Sequence, residues 1–155
     1  MLCHPGPVPA LDLVDDTFVA ATPASIAAAV HDRRRWARWW PGLELTVSRD
    51  RGLKGVQWVV CSRADEDRSR GRRVRWLGSM EIWLEPWGDG TLLHHYLRLD
   101  PRQPLAPRTA RRFAANRARA WKHSVHRLKD ELEGTRICGE GVKSGAGATD
   151  TAGDG

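Results

Sequence analysis

The stretch from Arg108 to Leu132 constrains the fold more than any other part of the chain. Ala114, Ala118, Trp121, Val125, Leu128 and Leu132 recur at alternating steps of four and three residues. That spacing draws one apolar stripe along a helix of about seven turns at 3.6 residues each. Gly134 follows as the residue that ends it. A helix with one apolar side must bury that side against a surface of similar length, and no second helix of that length is written in the sequence. The cover has to come from upstream, where the period is two.

Leu11 to Ala20 is moderately strand-like. Thr22-Pro23 then supplies an N-cap and a proline at the first helical position, opening a short alanine-rich helix to His31. Asp32 caps a second short helix, Arg33 to Trp40, which Pro41-Gly42 stops. Strand periodicity returns in Leu43 to Ser48, in Val56 to Ser62 (with Val56, Trp58 and Val60 on one face), and in Val74 to Trp87. In the last of these Trp76, Gly78, Met80, Ile82 and Leu84 share a face, and Gly78-Ser79 marks an expected bend because the run is long for one strand. Gly88-Asp89-Gly90 is a hairpin signal leading into Thr91 to Leu99, where Leu93, His95, Leu97 and Leu99 share a face. Ala64 to Arg73 is polar throughout and reads as a loop or protruding hairpin tip.

The expected fold is therefore α+β. A curved antiparallel sheet wraps on the long C-terminal helix, with two short helices after the first strand, and a curved sheet and a straight helix leave a hollow between them. With 155 residues, 41% hydrophobic and 28% charged, the chain suits one domain. We set its bounds at 11–134, with a flexible lead at 1–10 and a disordered Gly/Ser/Ala-rich tail at 135–155.

The three stretches RRRWARWWPGLELTVSRDRGLKGVQWVV, GSMEIWLEPWGDGTLLHHYLRLDP and RRFAANRARAWKHSVHRLKDELEG resemble the helix-grip fold of the START-like superfamily, also called SRPBCC. The similarity is closer to its bacterial polyketide cyclase/dehydrase-like branch. WWPG and IWLEPWGDG carry most of the specificity, while the polar insertion Ala64 to Arg73 is longer than that group suggests. The resemblance implies a pocket between helix and sheet for a hydrophobic or aromatic molecule. Its members include aromatase/cyclases, lipid carriers and hormone receptors, with no catalytic residues common to all.

Eight tryptophans against two phenylalanines and one tyrosine are many for an ordinary core of this size, so some are expected to line a cavity or its mouth. The candidate ligand contacts are Trp58, Trp76, Met80, Ile82, Leu84, His95 and Leu97 from the sheet, with Trp121 and Val125 from the helix; the bland alternative for each is core packing. Strand alternation points His95 inward and His94 outward with Tyr96. His95 and Tyr96 are the weak candidates for acid/base work. Glu81 and Glu85 share a face with Trp83 opposite Met80 and Ile82, which reads as solvent-facing.

Other chemistries lack a footing. Cys3, Cys61 and Cys138 have no ligand or disulfide spacing, and His123 and His126 have no acidic or cysteine partner at ligand spacing, so no metal is assigned. There is no GxGxxG, P-loop, GxSxG or HExxH, and no cofactor is expected. The formal charge of +6 permits nucleic acid or an anionic membrane as partner. Arg33, Arg34, Arg35 and Arg38 beside Trp36, Trp39 and Trp40 fit a pocket mouth or a packed helix end better than a base-stacking platform. The helix stripe Arg108, Arg111, Arg112, Arg119, Lys122 and Arg127 reads as a solvated face.

No signal peptide and no membrane span is legible, so a cytoplasmic monomer or weak homodimer is expected. Three functions follow, in order: a binding protein for a small hydrophobic or aromatic molecule, a cyclase or dehydratase in the same pocket, and a basic nucleic-acid or membrane adaptor.

Overall fold

The computed structural model describes residues 9–62, 65–67 and 72–134. The expected N-terminal lead lies mostly outside these residues, and the expected tail lies wholly outside them. Strand β1 is Leu11–Val19, α1 Pro23–His31, α2 Arg33–Trp39, β2 Leu43–Asp50 and β3 Gly55–Ser62. Then come β4 (Asp65–Asp67), β5 (Arg72–Val74), β6 (Trp76–Trp87), β7 (Gly90–Pro101) and α3 (Pro107–Glu133).

Five strands form one antiparallel sheet in the order β1-β7-β6-β3-β2, and β4 pairs with β5 in a separate ribbon. This is the expected curved sheet closed by a long C-terminal helix. The inward residues are those that the period-two pattern selects. Trp76, Met80, Ile82 and Leu84 of β6 and Leu93, His95, Leu97 and Leu99 of β7 are buried, while residues between them are half-buried or exposed. On α3 the buried residues are Trp121, Ser124, Val125 and Leu128, so its central turns meet the sheet along the stripe.

Local chemistry fixes both short helices. Thr22 Oγ1 accepts from the Ser25 backbone N–H at 3.2 Å, and Asp32 Oδ1 accepts from that of Arg34 at 3.1 Å. Gly42, at φ 77°, turns the chain from α2 into β2. Pairing does not stop at the expected bend: β6 runs in unbroken register with β7 from Trp76↔Pro101 to Trp87↔Gly90. Gly78 is required there by close approach, because a Cβ would lie 1.9 Å from the Arg98 carbonyl oxygen. The expected strand at 74–87 begins two residues later, with Val74 closing β5. The expected polar insertion contributes the short β4–β5 ribbon; its remaining residues lie outside those described.

Candidate functional site

Sheet register gathers the site. Across four strands Val56, Ile82, His95 and Asp15 stand in one row, and Trp58, Met80, Leu97 and Leu13 in the next. The expected ligand contacts Trp58, Trp76, Met80, Ile82, Leu84, His95, Leu97, Trp121 and Val125 are all buried. They therefore share the enclosed side of the sheet.

The short helix α2 supplies the rest of the wall. Its C-terminal end, followed by Pro41-Gly42, sends Trp39 and Trp40 inward, both buried. Trp40 lies 5.5 Å from Trp58, and parallel to Trp121 at 5.7 Å and 2°. Trp39 meets Trp40 edge-on at 5.5 Å and Trp121 at 6.3 Å. Trp36 stands edge-on to Trp58 at 5.6 Å and donates its Nε1–H to the Val30 carbonyl at 2.8 Å. Of the two readings of the Arg/Trp cluster, the packed helix end describes Trp39 and Trp40.

His95 lies against these rings. Its imidazole stacks on Trp121 at 4.0 Å and 15°, with Trp40 nearly parallel at 6.1 Å. The ring is fully buried, and neither Nδ1 nor Nε2 meets a partner; the same holds for Nε1 of Trp40 and of Trp58. Burial drives the His95 pKa down to about 3, opposed only by the nearby Asp15 charge. At neutral pH it is a neutral imidazole, one nitrogen donating and the other accepting.

Asp15, which the sequence reading did not single out, is the second ionisable group on this side. Oδ2 accepts from Trp121 Nε1 at 2.9 Å and from Thr17 Oγ1 at 3.0 Å, and Oδ1 pairs with Lys122 Nζ. Burial pushes this carboxyl up, but hydrogen bonds from Lys122, Trp121 and Thr17 outweigh it and hold the pKa below the usual carboxylate range. The alternation of Leu11, Leu13 and Asp15 was the signal that could have placed it inward. For Trp40 the signal was its position at the end of a short helix, next to Pro-Gly.

Two candidates stand apart from this group. Tyr96 lies on the opposite face of β7, stacked on His94 at 6.5 Å, because neighbours on a strand point to opposite sides. Its suggested acid/base role inside the enclosure is withdrawn. Trp76 faces inward but stacks on Phe113 in the first half of α3, at 4.3 Å. The outward histidine, His94, lies between Asp16 (Nδ1–Oδ1 2.7 Å) and Glu85 (Nε2–Oε2 3.2 Å). Glu81 pairs with Arg51 at 2.9 Å. Both glutamates are thus engaged on the outer face. Among the described residues no cluster of His, Cys, Asp and Glu is set to hold a metal ion.

Sheet order, paired short helices and one long closing helix define a helix-grip fold. Solved structures share it. The chain is similar to a Mesorhizobium loti protein at 14% identity and TM-score 0.58, covering 81% of this chain and 99% of that one. It is similar to the Aha1 dimer from Colwellia psychrerythraea at 15% and 0.53, covering 82% and 99%. Similarity to the AHSA1 protein from Silicibacter pomeroyi is 18% and 0.50, covering 78% and 96%. Identity this low is a likeness of fold. No protein-family model and no curated protein sequence matches the chain.

Proposed function

We propose that the enclosure between the sheet and α3 binds a small aromatic or hydrophobic molecule bearing at least one oxygen. The observation that carries this reading is the set of four buried, unpartnered nitrogens on His95, Trp40 and Trp58. A buried polar group without a partner costs about 1–3 kcal/mol, and an apolar side chain of similar shape avoids that cost. Keeping several around one ring stack is reasonable where a guest supplies the missing hydrogen bonds. A carbonyl or phenolic oxygen accepts from an indole N–H or from His95, and a hydroxyl also donates to the other imidazole nitrogen. The rings are in mutual contact, so a guest takes the place of one of them. Trp40, carried at the end of a helix of seven residues, is the wall best able to yield.

Turnover in the same enclosure is the second reading, favoured by Asp15 and His95 facing each other across β1 and β7. A neutral imidazole can give the proton of one nitrogen while the other takes one up, a relay that ends in the other tautomer with no net charge on the ring. Asp15 touches Trp121, whose ring carries the imidazole, and so acts as a positioning residue.

The test is titration with naphthol and with naphthalene, read by indole fluorescence, beside native mass spectrometry of freshly purified protein. Naphthol is expected to bind about tenfold tighter, the worth of one hydrogen bond. His95→Phe should remove most of that preference. Equal affinity for the two probes, or no saturable binding of either, would reject the reading.

A further inference from the structure

We infer that the cleft between α2 and α3, on the outer side of the helix pair, binds a small anion with an apolar part, such as an aryl phosphate or aryl carboxylate. This site borders the interior ring cluster through Trp39 and has a volume of about 240 Å³. Arg35, Arg38, His123 and Arg127 line it together with Trp39 and Leu128. Trp39 and Leu128 are 3% and 2% exposed, so they form a fixed apolar floor.

Charge in the cleft is unbalanced. Arg35 donates from both terminal nitrogens to Glu131, at 2.8 and 2.6 Å, and cancels that carboxylate. Three guanidinium groups against one carboxylate leave two positive charges, those of Arg38 and Arg127. Neither makes a hydrogen bond or ion pair among the described residues. Both stand near Glu131: the Arg35 hydrogen bond chiefly holds that carboxyl low, and the charges of Arg38 and Arg127 add to it. Ser124, buried and lining the same cleft, contributes a hydroxyl.

Shape selects the occupant. A polyanion is held best by charges spread along a surface. Here the two unmatched charges converge on one concave space floored by an indole. The remaining arginines and lysines of α3, Arg108, Arg111, Arg112 and Arg119 among them, do not line it. A phosphate or carboxylate accepts from the guanidinium forks while its aryl group fills the cleft over the narrow exposed edges of Trp39 and Leu128. Occupancy also has an optical reporter, since Trp39 lies against Trp40 and Trp121.

The experiment is calorimetric titration of the full chain with phenyl phosphate, inorganic phosphate and phosphatidylglycerol vesicles, repeated on the double variant Arg38→Gln/Arg127→Gln. Both residues are exposed, and an unchanged melting transition confirms that the variant folds. Phenyl phosphate should bind saturably at one site. Inorganic phosphate, lacking the aryl group, should bind more weakly, and the double variant should lose about tenfold or more in affinity for phenyl phosphate. Failure of phenyl phosphate to bind at millimolar concentration would overturn the proposal. So would equal binding by the double variant, or inorganic phosphate binding as tightly. Vesicle binding that phenyl phosphate does not displace would assign the basic surface to a membrane instead.

Discussion

His95 is enclosed on every side, so its proton affinity becomes a property of the folded state. Its pKa falls from 6.5 to about 3 on folding. Between those values the unfolded chain holds a proton that the folded chain does not. The group's contribution to stability is therefore full above pH 6.5 and is lost as pH falls, at about 1.4 kcal/mol per unit. Wild type and His95→Phe, compared by urea unfolding at pH 7, 5 and 4, should diverge as pH drops, the variant gaining on the wild type. At pH 7 the variant should be no less stable, since an apolar ring replaces two unpartnered nitrogens; His95→Leu serves as a second variant if phenylalanine overpacks the site. Parallel pH profiles would mean that the imidazole takes up its proton as readily in the folded chain as in the unfolded one. His31 titrates in the other sense. Burial works against its charge, but hydrogen bonds with Asp50 and the Ala27 carbonyl outweigh it and raise its pKa, so its contribution is present below pH 6.5 and fades above. Asp15 admits a sharper test. Asp15→Ala leaves the Trp121 N–H without its acceptor and should cost about 2 kcal/mol. In a Trp121→Phe background the same substitution should cost clearly less, as a double-mutant cycle of unfolding free energies would show.

The elements differ in how far their causes are local. Thr22-Pro23 and Asp32 cap α1 and α2 through bonds two or three residues away, so both helix starts were legible in the sequence. The α3 stripe was legible for the same reason: a long 3.6 period has one apolar face wherever its partner lies. Gly78 was read differently because its role is set by a residue twenty positions on. A glycine in a long strand suggests a bend, whereas here it admits the Arg98 carbonyl of β7. Gly78→Ala should therefore loosen the β6–β7 pairing and cost about 2 kcal/mol or more, seen as a lower melting temperature and faster amide exchange in both strands. Wild-type exchange in β7 after this substitution would show that the two backbones have room for a methyl group. Asp15 escaped notice for a related reason. Its carboxylate looks solvent-bound beside Asp12 and Asp16, and only the approach of Trp121 and Lys122 from α3 makes an inward acid tolerable.

At the scale of the molecule, the enclosure depends on where three remote segments meet: β1 at one sheet edge, the α2 end and the middle of α3. The sequence supplies each apolar face but not the depth to which the tryptophans interpenetrate. That is why Trp58 and Trp121 were legible as inward residues while Trp39 and Trp40 were left between a mouth and a packed end. Trp121 joins all three segments, bonded to Asp15, stacked on His95 and Trp40, and edge-on to Trp39. Toward its C-terminal end α3 is tied again to β1, where Lys129 donates to the Phe18 carbonyl, and just beyond it, where Glu133 accepts from the Ala20 N–H at 2.8 Å. If this docking organises the fold, Trp121→Ala should cost about 3–5 kcal/mol and remove most of the near-ultraviolet circular dichroism of the indole cluster. Trp87, 59% exposed at the far end of β6, gives the contrast. Trp87→Ala removes the same side chain from a wet surface and should change stability by about 0.5 kcal/mol or less. Similar losses from the two variants would mean that α3 does not hold the sheet through Trp121, and the enclosure proposed for a guest would lose its principal wall.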